Sequence, residues 1–575
     1  MPQGNIAAGS RLARLRRIRR YAVPRWMIER ATERRLAGDW RGACAAAAVD
    51  VTFDLDDIAA RYGAEVAAAV EDDLLHLAPD LVRWHAPRVG PSGTTLQPGG
   101  ALILNHYGAH GLEGRAAPRL YITAHPWLFQ TSQRLTLYFA PVDMRRDAVH
   151  MCDDYPFNQF WRGIAQSWVR ARHLWDVRRA HELRRRCGGD DERVPFLEPD
   201  GTPRAAAKLP TSDPGADDPV GHAEWVTMLH ERGEVEAAFT AAGIALEPES
   251  VEYQRDNEVG SLDRLARMPL ALTRLEPELR RAPGRPAARF AIPCGAFSTL
   301  LLEHDGDRGV RAEMGAMPAW DYTEPVLAEA RWQRLPDIDL LREGRTPPEW
   351  LHPLVHDALC PARPSSGVGP PEPERPDPVR VRCRGDWHEV AFEGGALRLP
   401  HSAEERKREE ALAALGGAVG GCFAVQKAWR TGAGRLPKAL RDQRRDLFDR
   451  AHHGDTPGVL RLLDLGVDPR VRDKNGRTLL HKLYMLDHEV LLPRLLAAGL
   501  DVDTPDVIGA SALHRAVELD GSVALVRALL DAGARIDLVD KEETTIPRLI
   551  YRAGRKDLGF LEELIAEEYP HLLDY

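Results

Sequence analysis

His106, His110 and His125 are the first residues in the chain whose type and spacing suggest chemistry. Imidazoles bind zinc or relay protons, and "HYGAH" places two of them four residues apart. That spacing brings both rings to one side only on a helix, whereas the stretch reads as a loop after a strand. These three histidines would anchor the alternative reading of function, an enzyme or effector with a catalytic site in residues 80–310. Cys383 and His388, in "CRGDWH", are a second pairing of nucleophile and base types. On one continuous strand, five positions put them on opposite faces, so simple packing is expected. Asp213, Asp217 and Asp218 make an acidic loop with the composition of a cation site, for which a solvated loop is the expectation. There is no Walker loop, no GxGxxG after a strand, no HExxH and no GxSxG. No catalytic, cofactor-binding or metal-binding residue is assigned on this basis, and no cofactor is expected.

The composition bounds what the elements around these residues must be. At 575 residues the chain exceeds a single core, so several domains are expected. Hydrophobic residues at 44% and charged residues at 28% are ordinary globular values. No apolar run reaches the roughly eighteen residues of a membrane span, and the basic N-terminal stretch lacks the apolar core of a secretory signal. The seven cysteines are scattered and never form CxxC, which fits a reduced cytoplasmic compartment and argues against a Cys-rich zinc module. A net charge of −9 argues against nucleic acid as a partner. Of 77 Lys and Arg residues only eight are lysine, a bias expected of a GC-rich, bacterial genome rather than of a binding patch.

Along the chain, residues 1–22 read as a basic N-terminal arm, either solvated or an outer helix; the sharper alternative is an amphipathic helix touching membrane or nucleic acid. In "RWMIERATERRLAGDWRGACAAAA" Pro24 suits a first helical turn, Gly38 a C-terminal cap and Asp39 the next N-cap, which predicts a helical hairpin. Residues 23–360 read as an irregular α+β region without regular strand–helix alternation. Strands are expected within 99–143 and a hairpin in "ARFAIPCGAFSTLLLEH" with "GVRAEM". Helices are expected over 158–186 and 223–243. Seven prolines in residues 361–378 predict a semi-extended linker. Residues 379–443 then read as a short antiparallel segment and helices, with Ser402 capping one of them.

Residues 444–575 carry an internal period. Gly476 and Gly509 are 33 positions apart, as are His481 and His514, in "KNGRTLLHKL" and "VIGASALHRA"; Gly499 and Gly533 follow at 34. The glycines suit a turn at positive φ, Thr478 and Ser511 suit helix starts, and Leu480, Leu483, Leu513 and Ala516 share a helical face. This pattern resembles the ankyrin-repeat family. The resemblance implies a C-terminal all-α solenoid of a turn, two antiparallel helices and a projecting finger per unit, joined to the mixed α+β region. It implies that His481 and His514 are structural hydrogen-bonding residues. It also implies a protein partner, held through the concave groove and the finger tips Arg472, Lys474, Asn475, Asp506, Val507, Asp540, Lys541 and Glu542. The last unit departs from the family pattern, with Glu543 at the turn glycine's place. Residues 445–575 hold 17 basic and 24 acidic residues, a net of −7, so the expected partner is a basic or mixed-charge protein rather than nucleic acid.

Overall fold

The structure, a computed structural model, describes residues 3–573 apart from 90–93, 98–99, 109–116, 125–130, 142–164, 248–260, 282–288, 295–297, 305–308, 316–324, 366 and 416–418. It divides into two units, Met1–Phe129 with Arg134–Pro371, and Gln130–Gln133 with Glu372–Tyr575. No helix among the described residues is long and apolar enough to cross a membrane.

The first unit is mixed α+β. Its larger sheet has five strands in the order Val49–Val51, Leu135–Pro141, Pro118–Ala124, Ala101–His106 and Gln166–Ser167. The middle three are antiparallel neighbours and the two outer strands join in parallel. Leu120 and Ile122 alternate inward as the period of two demands. The smaller sheet runs Ile244–Glu247, Val310–Gly315, Thr299–His304, Arg289–Pro293. "ARFAIPCGAFSTLLLEH" therefore folds into two paired strands, not one hairpin arm.

Helix Gln3–Tyr21 turns part of its basic face inward. Arg19 is buried and donates to both carboxylate oxygens of Asp337 (2.8 and 2.7 Å), and Arg11 donates to Asp339 (2.7 Å). Helices Arg25–Leu36 and Trp40–Ala46 form the expected hairpin, with Asp39 accepting from the Gly42 N–H. The helix expected over 158–186 is different. Its described part holds strand Gln166–Ser167, short 3-10 turns and helix Leu183–Arg186. Tertiary ion pairs override helical periodicity there: Arg172 closes on Asp73 and Arg178 on Asp72, both in a helix about a hundred residues earlier.

The second unit begins with an antiparallel sheet, Val379–Cys383, Asp386–Glu393 and Ala396–Arg398. Helices Ala403–Ala414 and Gly421–Thr431 follow, then four successive helix pairs. The pairs are Lys438–His452 with Thr456–Asp464, Leu480–Met485 with His488–Ala497, Ala512–Glu518 with Val523–Asp531, and Ile546–Arg552 with Gly559–Glu568. Leu480–Met485 is a 3-10 helix rather than an α-helix. Thr478 and the next cap, Asp487, are 9 positions apart, against 11 from Ser511 to Ser522. Fewer residues must span one helix length, and the 3-10 form, at about 2.0 Å rise per residue against 1.5 Å, reaches further. One apolar core runs without interruption from Val381 in the sheet to Leu572.

Candidate functional site

The fingers between helix pairs are built by an aspartate. Asp473 Oδ1 accepts from the backbone N–H groups of Asn475 (2.8 Å) and Arg477 (2.9 Å). Asp506 repeats this with Ile508 (3.0 Å) and Ala510 (3.1 Å), and Asp540 with Glu542 (2.9 Å) and Thr544 (2.8 Å). A side chain that mimics a backbone turn is what Asx residues supply. Successive fingers then bond to one another, Val507 N–H to Asn475 O (2.9 Å) and Lys541 N–H to Ile508 O (2.7 Å). Gly476 and Gly509 sit alike, at φ +73° and +89°. A Cβ on either would lie 3.2 Å from the next finger's backbone nitrogen, so glycine permits both the turn and the close approach.

This geometry sorts the expected finger-tip residues. Lys474, Val507, Lys541 and Glu542 are exposed, and Arg472, Asn475 and Asp540 are half-buried. Arg472 donates to Pro505 O (3.1 Å) and the Lys541 ammonium to Val507 O (2.7 Å). Asp506 is a correction to the expected tip set. It is buried, and its second oxygen accepts from Arg515 (2.6 Å) and Arg477 (3.3 Å), so it holds the finger and presents nothing to a partner.

His481 and His514 are buried. The His481 Nδ1 accepts from the Thr478 N–H (3.1 Å) and Nε2 faces Ala510 O (3.1 Å), so the ring bridges one unit to the next finger. Burial pushes its pKa down to about 4. Ser511 caps its helix by accepting from the His514 N–H, while the Thr478 hydroxyl lies 3.0 Å from the His481 ring. Gly499 and Gly533 follow the second helices at φ +81° and +88°.

Four side chains that the sequence left apart meet beside the array. Cys383 ends one strand of the sheet and His388 lies on the next, paired across from Val381. The chain reverses at Arg384 and Gly385, both at positive φ, so Cys383 and His388 fall on the same face; the expectation of opposite faces assumed one unbroken strand. His401, two residues before helix Ala403–Ala414, and Cys422, in the first turn of helix Gly421–Thr431, complete the group. His388 Nδ1 lies 3.2 Å from His401 Nε2 and 3.5 Å from Cys422 Sγ, and Cys383 Sγ lies 3.7 Å from His401 Nε2. All four donor atoms fall within 4.8 Å of one another. Both cysteines are buried, and burial, followed by the adjacent Cys383 sulfur, pushes the Cys422 thiol up to about 12. No CxxC or HxxxH pattern signals the group. The turn residues of "CRGD" are the one sequence feature that would have placed the first two together.

In the first unit, His106 is exposed and its Nδ1 accepts from Arg119 Nε (3.1 Å), while His110 and His125 lie outside the described residues. Asp218 caps helix Pro219–Glu231, and Asp213 accepts from the Gly215 N–H (2.9 Å) and meets His222 Nδ1 (2.8 Å). A buried network absent from the sequence reading joins Asp73 to Tyr107 (2.5 Å), Asn105 (2.6 Å) and Arg172. A cavity of about 200 Å³ is lined by Arg11, Arg19, His85, His173, Arg274 and Glu329 among others. Its Arg11 and Arg19 are spent on Asp339 and Asp337, and Arg274 donates to the backbone carbonyls of Gln333 and Ala330.

The chain finds no match among curated proteins. A family model described as ankyrin repeats, in three copies, matches residues 447–540, the stretch that holds the Asp473 and Asp506 fingers. Its C-terminal region is an ankyrin-repeat array, a protein–protein interaction module.

Proposed function

We propose that the chain holds a protein partner through the outer ends of its stacked fingers, at Lys474, Val507, Lys541 and Glu542. The observation that carries this reading is Val507, a large apolar side chain left 52% exposed at a finger tip between the exposed lysines of the two neighbouring fingers. An apolar centre with a charged rim is the usual composition of a recognition patch. The backbone beneath is fixed by the carboxylate turns and the finger-to-finger bonds, so little ordering remains to oppose binding. The array's excess of acidic residues favours a basic or mixed-charge partner.

The test compares the full-length chain with a variant carrying Lys474→Glu and Val507→Arg. Both side chains are exposed, so the variant should keep the wild-type circular dichroism and melting temperature. Proteins crosslinked to the wild-type chain through a photoreactive group at Glu542 should be lost from the variant. Equal capture by both would overturn the finger-tip site.

A further inference from the structure

We propose that Cys383, His388, His401 and Cys422 bind one zinc ion in a tetrahedral Cys2His2 site that fastens the β-sheet to the start of the ankyrin array. The proposal is independent of the finger-tip reading.

The distances carry it first. Zinc bonds of about 2.0–2.1 Å to nitrogen and 2.3 Å to sulfur require tetrahedron edges of about 3.3 Å between nitrogens and 3.6 Å between nitrogen and sulfur. The His388–His401 edge is 3.2 Å, and two of the four sulfur–nitrogen edges are 3.5 and 3.7 Å. Hydrogen bonds account for pairs of such atoms, but not for four donor atoms converging from a strand end, a neighbouring strand, a loop and a helix N-terminus. Two thiolates and two neutral imidazoles around Zn²⁺ sum to zero charge, which suits a buried position. Soft sulfur with imidazole in a closed tetrahedron is the donor set that selects zinc over magnesium or calcium.

The surroundings have the features of a built metal site. His401 is 3% exposed at its side chain, and its Nδ1 faces Glu405 Oε2 at 3.5 Å. A carboxylate on the far nitrogen fixes the ring so that Nε2 is free to ligate. Glu405 is itself held in place, because it accepts from the Ser402 N–H (2.9 Å) while its own N–H donates to Ser402 Oγ (3.1 Å). Gly421 lies at φ +56°, and a Cβ there would fall 2.4 Å from Cys383 Sγ and 2.9 Å from Cys383 Cα. Only glycine lets the backbone preceding Cys422 lie against Cys383.

The consequence is mechanical. Cys422 belongs to the helix whose Trp429 packs on Phe392 of the sheet and donates to Asp468 O at the array's first finger (3.3 Å). A terminal unit of a solenoid has one face without a neighbour to cover it. The ion would tie a loop of about forty residues, 383–422, across that end, and metal bonds that close a long loop stabilise by restricting the unfolded chain.

The experiment uses the full-length chain. Purified without chelator and dialysed, it should carry one zinc per chain by elemental analysis. Replacing zinc by Co²⁺ should produce the visible bands of tetrahedral, thiolate-ligated cobalt. Cys383→Ser and Cys422→Ser should each lose the bound zinc, and a mercurial thiol reagent should release it from the wild-type chain. The cobalt spectrum needs no variant, so a misfolded substitution does not block the test. A wild-type chain without stoichiometric zinc, zinc retained by both variants, iron or copper in its place, or a mass two protons lower from a Cys383–Cys422 disulfide would each overturn the site.

Discussion

His481 shows what a repeated residue does at the scale of a single side chain. Its neutral ring accepts from Thr478 on one nitrogen and faces Ala510 O with the other, so a second proton would break the bridge. The native ring titrates near 4, and the unfolded one near 6.5. Between those values the unfolded chain binds more protons than the native one, so array stability falls as the pH drops from 6.5 toward 4 and is flat above 6.5 on this account. The slope contributed by this residue approaches about 1.4 kcal/mol per pH unit. His481→Gln should remove that part of the slope, read as the wild-type minus variant difference in denaturation midpoint at pH 7, 5.5 and 4.5. A difference independent of pH would show that the ring is not the titrating group. The sequence suggests this role only through the resemblance to ankyrin repeats that the 33-residue period carries. The Cys383–His388 pairing was not legible there, because face assignment by counting fails wherever the chain turns between the two residues.

At the scale of the element, the finger is specified by an aspartate and a left-handed residue. The period, the glycines and the helix pairs follow from sequence, since each is local. The 3-10 form of Leu480–Met485 is local as well, but it shows only when distances between caps are compared across units. Glu543 takes φ +56°, the conformation that Gly476 and Gly509 adopt at the same place. A side chain pays about 1–2 kcal/mol for that conformation, and glycine loses about 0.5–1 kcal/mol in backbone entropy. Glu543 is exposed, so Glu543→Gly should stabilise the array by about 0.5–1 kcal/mol, measured by chemical denaturation. Gly509→Ala should destabilise it by more than that gain, because its Cβ also meets the backbone of Asp540 at 3.3 Å. A destabilised Glu543→Gly variant would show that the last finger does not follow the rule of the others.

At the scale of the whole chain, the apolar core of the repeat region separates by sequence from the other two, which interleave. One core is drawn from residues 381–572, and the others from 18–360 and 226–332. That asymmetry explains what could be read in advance. The array folds from neighbouring segments, so its pattern is visible in any short window. The first unit pairs Val49–Val51 with Leu135–Leu137 and Leu102–Ile103 with Gln166–Ser167, and no window contains both partners. A fragment of residues 372–575 omits only Gln130–Gln133 of its unit and retains its entire apolar core. It should therefore fold alone and unfold in one transition that includes the β-sheet. Trp429 reports on this directly, since it is fully buried, touches Phe392 of the sheet and bonds to Asp468 O. Its fluorescence and the far-UV circular dichroism should give coincident denaturation curves, the test of a two-state transition. A fluorescence change that precedes loss of helix would mean that the sheet opens first and that the core joining it to the repeats does not hold them as one cooperative body.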